Sequence, residues 1–207
     1  MNIPKLTNRF RGLLPVVVDV ETSGLNPATD ALLEVAVVML TTDQDGKLTR
    51  ANTMSYHVEP FAGANIEAEA LEITGIDPDS PLRFAIPEAQ ALHRIFEAVR
   101  EQLAREECYR AVLVGHNAWF DLSFLLAAAR RADIRHLPFH TFTTFDTASL
   151  SAIALGETVL ARATRRARIS FNVKEAHSAI YDAEKTADLF CHIANKFAEV
   201  GKPRRKP

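Results

Sequence analysis

Two carboxylates, Asp19 and Glu21, close an apolar and mostly β-branched run over residues 16–20. Such a run predicts a buried strand. Side chains two apart on a strand share a face, so both acids point the same way at close range. Like charges that close repel unless a cation lies between them or one takes a proton. Ser23, Gly24, Asn26 and Pro27 then turn the chain. The acid pair therefore falls at the carboxyl edge of a central strand, where open α/β sheets put their sites. An Asp-x-Glu triplet alone is a weak signal, since chance supplies about one in a chain of this length. Two further acids give it weight. Asp121 lies on the edge of a predicted helix's apolar face, and Asp182 opens the last predicted helix, five residues after His177.

Four acids without paired Cys or His ligands suit magnesium or manganese rather than a structural zinc. Magnesium binds through a few carboxylates, water and substrate phosphate. Two such ions roughly 4 Å apart clamp the attacking and leaving oxygens of a phosphodiester displacement. A histidine is the natural group to take a proton from the attacking water. Each residue also has a structural role open to it. Asp121 and Asp182 are acids that a helix dipole favours, and His177 can cap or pack. Trp119 is expected in the core.

The elements that must position these groups are legible as periodicities. Residues 31–40 and 49–58 read as strands joined by the polar turn Asp43, Gln44, Asp45, Gly46, an antiparallel meander with the first strand. Residues 67–73 read as a short helix ended by Gly75, and Pro87 as the first position of a longer one. Residues 111–114 form the next strand, leading through Gly115, His116 and Asn117 into a helix that carries Asp121. A fifth strand is expected over 142–145, and Asp146 has the position of an N-cap for a helix over 147–154. A basic helical segment over 161–168 and a last helix from residue 180 to 200 complete an α/β arrangement of mixed sheet and flanking helices.

The 207 residues suit one domain with a short basic tail at 202–207, and 47% hydrophobic residues supply a core. A net charge of −2 excludes a globally basic nucleic-acid binder, so phosphate contacts must come from local patches. Only Cys108 and Cys191 are present, which fits a reducing compartment. With neither a signal-peptide core nor a membrane-length apolar run, a cytoplasmic protein is the expectation.

The set Asp19-x-Glu21-Thr22-x-Gly24, Asn117-x-x-x-Asp121 and His177-x-x-x-x-Asp182 resembles the three motifs of the DEDD exonuclease superfamily, in its histidine-containing branch. Within that branch the segments HVEPFAGAN, GIDP, HNAWFD, TFDTASL, ALGETVL and AHSAIYDAEKTADLFC are similar to the ribonuclease T family. The resemblance implies an RNase H-like fold with a five-stranded mixed sheet. It implies a 3′-to-5′ exoribonuclease that trims single-stranded 3′ ends of structured RNAs such as tRNA, with two Mg2+ ions per site (Mn2+ as the alternate). Asp19, Glu21, Asp121 and Asp182 would hold the metals, and His177 would be the general base. Phe120, Phe142, Glu69 and Thr22 match substrate-contacting positions. Leu25 and Ile73 stand where that family typically has phenylalanine. The family is a homodimer in which a basic patch on one subunit serves the other's site, and Arg9, Arg11, Arg110 and Arg135 match that patch. A DNA 3′-exonuclease of the proofreading or repair kind, or an oligoribonuclease, would use the same site chemistry on single-stranded DNA or short RNA. A silent nucleic-acid-binding module would be expected to have lost one of the acids or His177.

Overall fold

The computed structural model describes residues 5–200; the basic tail at 202–207 lies outside them. Five strands, β1 (Leu13–Thr22), β2 (Leu32–Thr42), β3 (Leu48–His57), β4 (Arg110–Gly115) and β5 (Phe139–Asp146), form one sheet in the order β3-β2-β1-β4-β5. Strands β1, β2 and β3 make the expected antiparallel meander, while β4 and β5 run parallel to β1 and to each other. The helices are α1 (Ala68–Thr74), α2 (Glu88–Arg105), α3 (Trp119–Arg131), α4 (Thr147–Leu155), α5 (Leu160–Arg166) and α6 (Ala179–Val200).

In β1 the residues from Leu14 to Val18 are buried one after another, as they are over most of β2. Consecutive burial requires cover on both faces of the sheet. Helix α6 lies across β1, β2 and β3, and α2 and α3 pack on each other and on the sheet. Apolar spacing accounts for α2, whose Leu92, Ile95, Phe96 and Val99 are fully buried. Each such side chain contributes roughly 1.5–3 kcal/mol by leaving water. Helix α6 is also tied by polar groups. Arg50 on β3 bridges Glu184 at 2.6 Å and Asp188 at 2.8 Å. Near its end, the Asn195 amide donates to the Leu48 carbonyl, and its oxygen accepts from the Leu48 N–H and from Arg9.

Several expectations hold and a few shift. Gly75 caps α1 at φ 69°, a left-handed conformation that suits glycine. Asp146 caps α4, accepting from the N–H groups of Ala148 and Ser149. Pro87 is the N-cap of α2 rather than its first helical residue. Strand β5 is longer than expected and irregular: Ala111 pairs with Phe139 but Leu113 with Thr144, so β5 bulges outward between them. No helix among the described residues is long and apolar enough to cross a membrane.

Candidate active site

Three elements bring the acids together at the carboxyl end of β1. Asp19 and Glu21 come from the strand itself, Asp121 from the first turn of α3 and Asp182 from the first turn of α6. Parallel pairing fixes the second of these, because β4 runs beside β1 up to Val114 and then turns into α3. At that turn Asn117 takes φ 70°, and the Ala118 N–H donates to Asp146 Oδ2 at 3.0 Å. Gly115 is required for close approach: a Cβ there would sit 2.7 Å from Asp121 Oδ2 and 2.9 Å from Ala118 Cα. Asp121 is buried, and its Oδ1 accepts from the Val20 N–H at 3.1 Å, so this acid clamps the end of β1.

The electrostatics follow from burying like charges. Burial first, then repulsion from Asp121, Glu21, Asp182 and Glu34, pushes the Asp19 carboxyl well above the usual range. Burial, with Asp182 and Glu34, raises Glu21 to about 8. Burial likewise carries Asp121 well up, although the N–H groups of Asp121 itself and Val20 pull the other way. Asp182 is raised by burial and partly restored by the His177 N–H, which donates to its Oδ2 at 3.0 Å. Its other oxygen, Oδ1, is buried without a hydrogen-bond partner. No group of three or more His, Cys, Asp or Glu side chains among the described residues is gathered tightly enough to hold a metal ion by itself. The acids form an open trough of oxygens rather than a closed cage. Sites that magnesium completes with water and substrate phosphate have this character.

Glu34 is a fifth acid at the trough that sequence reasoning missed. It pairs in register with Glu21 and sits 2.8 Å from His57 Nδ1. The signal was available, since Glu34 is the one charged residue inside the otherwise apolar run at 31–40. His177 is exposed at φ 66° and borders a second hollow with Glu34, Thr74 and Arg83. The half-buried His116 has its pKa lowered by desolvation; its ring nitrogens meet the Thr147 hydroxyl and the Thr158 carbonyl.

A cleft adjoins Glu21, lined by Thr22, Leu25, Glu69, Ile73 and Phe120 among others. Leu25 is 79% and Ile73 59% exposed, whereas Phe120 packs tilted on Phe124 with ring centroids 5.0 Å apart. The Thr22 hydroxyl is buried and donates to the Gly24 carbonyl at 2.6 Å, so it shapes the turn after β1. Asp30 completes that turn. Its burial is outweighed by bonds from Asn26, Asn65 and Thr29, which hold its carboxyl below the usual range.

Other expected site residues lie apart. Phe142 stands 91% exposed on the bulge of β5, two strands away from β1, and does not line the cleft. Arg110 opens β4 opposite Leu13, and Arg9 and Arg11 precede β1, so these three sit at the end of β1 away from the acids. At about 3.3 Å per residue, Leu13 and Asp19 are roughly 20 Å apart. Arg135 follows α3, which leads away from the trough, and pairs with Asp133. Arg11 and Arg110 are exposed, but Arg9 is engaged by the Gly46 carbonyl and Asn195. Trp119 is a correction: it is 66% exposed, not core, because the first residue of α3 points off the sheet.

A family model described as an exonuclease, RNase_T, matches residues 16–190. Ribonuclease T of Marinobacter nauticus is 59% identical over 196 residues, covering 95% of this chain and 89% of that protein. Ribonuclease T of Hahella chejuensis is 59% identical over 202 residues, covering 97% and 93%. Among solved structures, E. coli exonuclease I in complex with a dT13 oligonucleotide superposes with a TM-score of 0.68 at 18% identity, over 91% of this chain and 42% of that one. A 3′-exonuclease that recognises a histone mRNA stem-loop gives 0.69 at 16% identity, over 88% and 63%. At those identities the structural matches speak for the fold, which is RNase H-like, as the resemblance implied.

Proposed function

The chain belongs to the ribonuclease T family of exonucleases, and we propose that it trims the single-stranded 3′ ends of structured RNAs such as tRNA, releasing nucleoside monophosphates. The observation that carries the reading is the trough itself: a buried Asp121 and half-buried acids from β1 and α6 meet with carboxyls pushed up by one another and by desolvation. Such a set is stable when protons or cations offset the charge. An all-oxygen donor set and the unpartnered Asp182 Oδ1 fit Mg2+, with Mn2+ as the alternate. Asp19, Glu21 and Asp182 would hold one ion, and Asp19 with support from Asp121 a second. Bound there, divalent cations supply positive charge that stabilises the attacking and leaving oxygens of a phosphodiester.

The chain's own groups do the rest. His177, beside Asp182, accepts the proton of the water that attacks the scissile phosphorus. The Asp182 bond to the His177 N–H holds the connection that carries the imidazole. The cleft of Leu25, Glu69, Ile73 and Phe120 receives the terminal base, with Phe120 the one ring among these four and the aliphatic pair as wedges. Aliphatic contacts stack less well than rings, so discrimination among terminal bases should be weak. Arg11, Arg110 and Arg135 hold phosphates. Their distance from the acids of the same chain favours a homodimer, in which one subunit's patch serves its partner's trough.

The test is a 5′-labelled RNA hairpin with a short 3′ overhang, incubated with Mg2+, with EDTA, and with Asp19→Asn protein, beside a matching DNA. Stepwise loss of the overhang that needs both metal and Asp19 and stops near the stem is the expected result. Undiminished trimming by Asp19→Asn would remove the carboxylate assignment. Faster removal from DNA would move the reading to a DNA 3′-exonuclease.

A further inference from the structure

The cleft beside Glu21 is poor in rings: of the residues named along it only Phe120 is aromatic. Next to Phe120, on the outer side, stands the chain's single tryptophan. Trp119 is 66% exposed, although Ala118 before it and Asp121 just after it are buried. Its ring meets Phe120 at 5.9 Å between centroids and 88° between planes. In that edge-to-face contact one ring supplies an edge and the other a face. Whichever does so, Phe120 covers at most one broad face of the indole, and two thirds of the residue remains exposed. The ring's base is fixed as well. Asn117 at φ 70°, the Ala118 N–H on Asp146 and the Phe120 N–H on the Asn117 carbonyl hold the first turn of α3. The indole is thus rooted on a fixed turn, largely exposed, and continuous with the ring that lines the cleft.

We propose that Trp119 is a base-stacking platform for an unpaired nucleotide just upstream of the terminal one, extending the grip on the RNA strand beyond the cleft. This rests on the exonuclease reading, since the strand must lie with its 3′ end against Phe120. Stacking suits a site that accepts many sequences, because every base presents a π-face. With Leu25 and Ile73 offering no ring inside the cleft, Trp119 moves aromatic contact one step along the strand.

Being the only tryptophan, Trp119 reports on itself. In EDTA, where cleavage is blocked, binding of a 5′-labelled single-stranded RNA decamer is followed by anisotropy, and indole fluorescence by titration with the unlabelled strand. The expected result is quenching that saturates together with anisotropy. Trp119→Ala should weaken binding by about 5- to 150-fold, the range for loss of one stacked base, while Trp119→Phe keeps most of it. The Trp119→Ala penalty should vanish on RNA with an abasic residue at the upstream position. A structural role would leave that last readout unmoved, and the exposed ring predicts an unchanged unfolding midpoint for Trp119→Ala. Tight binding with unchanged fluorescence, and Trp119→Ala within about twofold of the parent, would overturn the platform while leaving the exonuclease reading intact. A variant that changes only the sedimentation behaviour would assign the ring to a contact between copies, and would overturn it too. Failure of all RNA to bind or be trimmed would defeat both readings together.

Discussion

Replacing Glu21 by glutamine keeps the shape of the side chain and removes its charge, and it should stabilise the metal-free protein increasingly as pH rises. Burial, with Asp182 and Glu34 nearby, lifts the Glu21 carboxyl from 4.5 to about 8 in the folded state. A folded-state value above the unfolded one means that the native protein holds the extra proton across that interval. The contribution to stability is therefore complete below the unfolded value and is lost as pH climbs through about 8. The slope is about 1.4 kcal/mol per pH unit, so the whole interval amounts to on the order of 5 kcal/mol. Water at the open side of the trough screens the carboxyl and brings this to a few kcal/mol. For a chain of this size each kcal/mol moves the melting temperature by about 2–4 °C, so the effect reads on the order of 10 °C. The assay is urea or thermal unfolding of both proteins in EDTA from pH 5 to pH 8. Their difference should be small at pH 5 and widen steadily toward pH 8 in favour of Glu21→Gln. Addition of Mg2+ at pH 8 should then raise the parent more than the variant. Parallel stability curves across the range would refute the view that Glu21 is held protonated by its neighbours.

His177→Ala should lower turnover at neutral pH by about 10²- to 10⁴-fold while RNA affinity stays within about twofold; an unchanged rate would send the water's proton elsewhere. Gly115→Ala should destabilise the fold by about 1–3 kcal/mol and depress activity, because the added methyl meets Asp121 Oδ2 at 2.7 Å. Its unfolding midpoint checks this, and an unmoved midpoint would contradict the close approach. Changing Arg11 and Arg110 together to alanine should reduce the slope of log affinity against log salt by about 1.4 for a single strand. An unchanged slope would place the phosphates away from that end of the sheet. Arg9 is left out because its bonds to Gly46 and Asn195 make it part of the packing.

Strand and helix identities were legible because the apolar periods were clean. β1 and β2 are runs with both faces covered, and α2 and α6 carry one stripe each. Asp19 and Glu21 were legible because they close a buried run, whereas Asp121 and Asp182 also suit a helix start and gained weight only together with the first pair. What stayed hidden depended on tertiary placement. Glu34 faces the trough only through its register with Glu21, and no local spacing encodes that pairing. Trp119 was misread because apolar type was taken for burial, whereas the first residue of α3 is turned outward by the Asn117 bend. Phe142 is exposed on the irregular stretch of β5, a placement that depends on the register shift against β4 and that no local spacing encodes. Arg9 carries the right charge for the basic patch, yet the fold already occupies it.

If the four acids carry the cleavage as proposed, the order in which they appear along the chain also sets when the protein can first cut. A chain leaves the ribosome from its N-terminus at about 5–20 residues per second. Asp19 and Glu21 emerge early, Asp121 follows once β4 has paired with β1, and Asp182 arrives only with α6, which must settle across β1, β2 and β3. Until that last helix docks, the trough lacks one wall and one carboxylate, and His177 has no Asp182 to bond. A nascent chain still tethered beside ribosomal RNA and tRNA therefore carries no finished blade. On the proposed assignment, cutting power arrives with the closing of the fold.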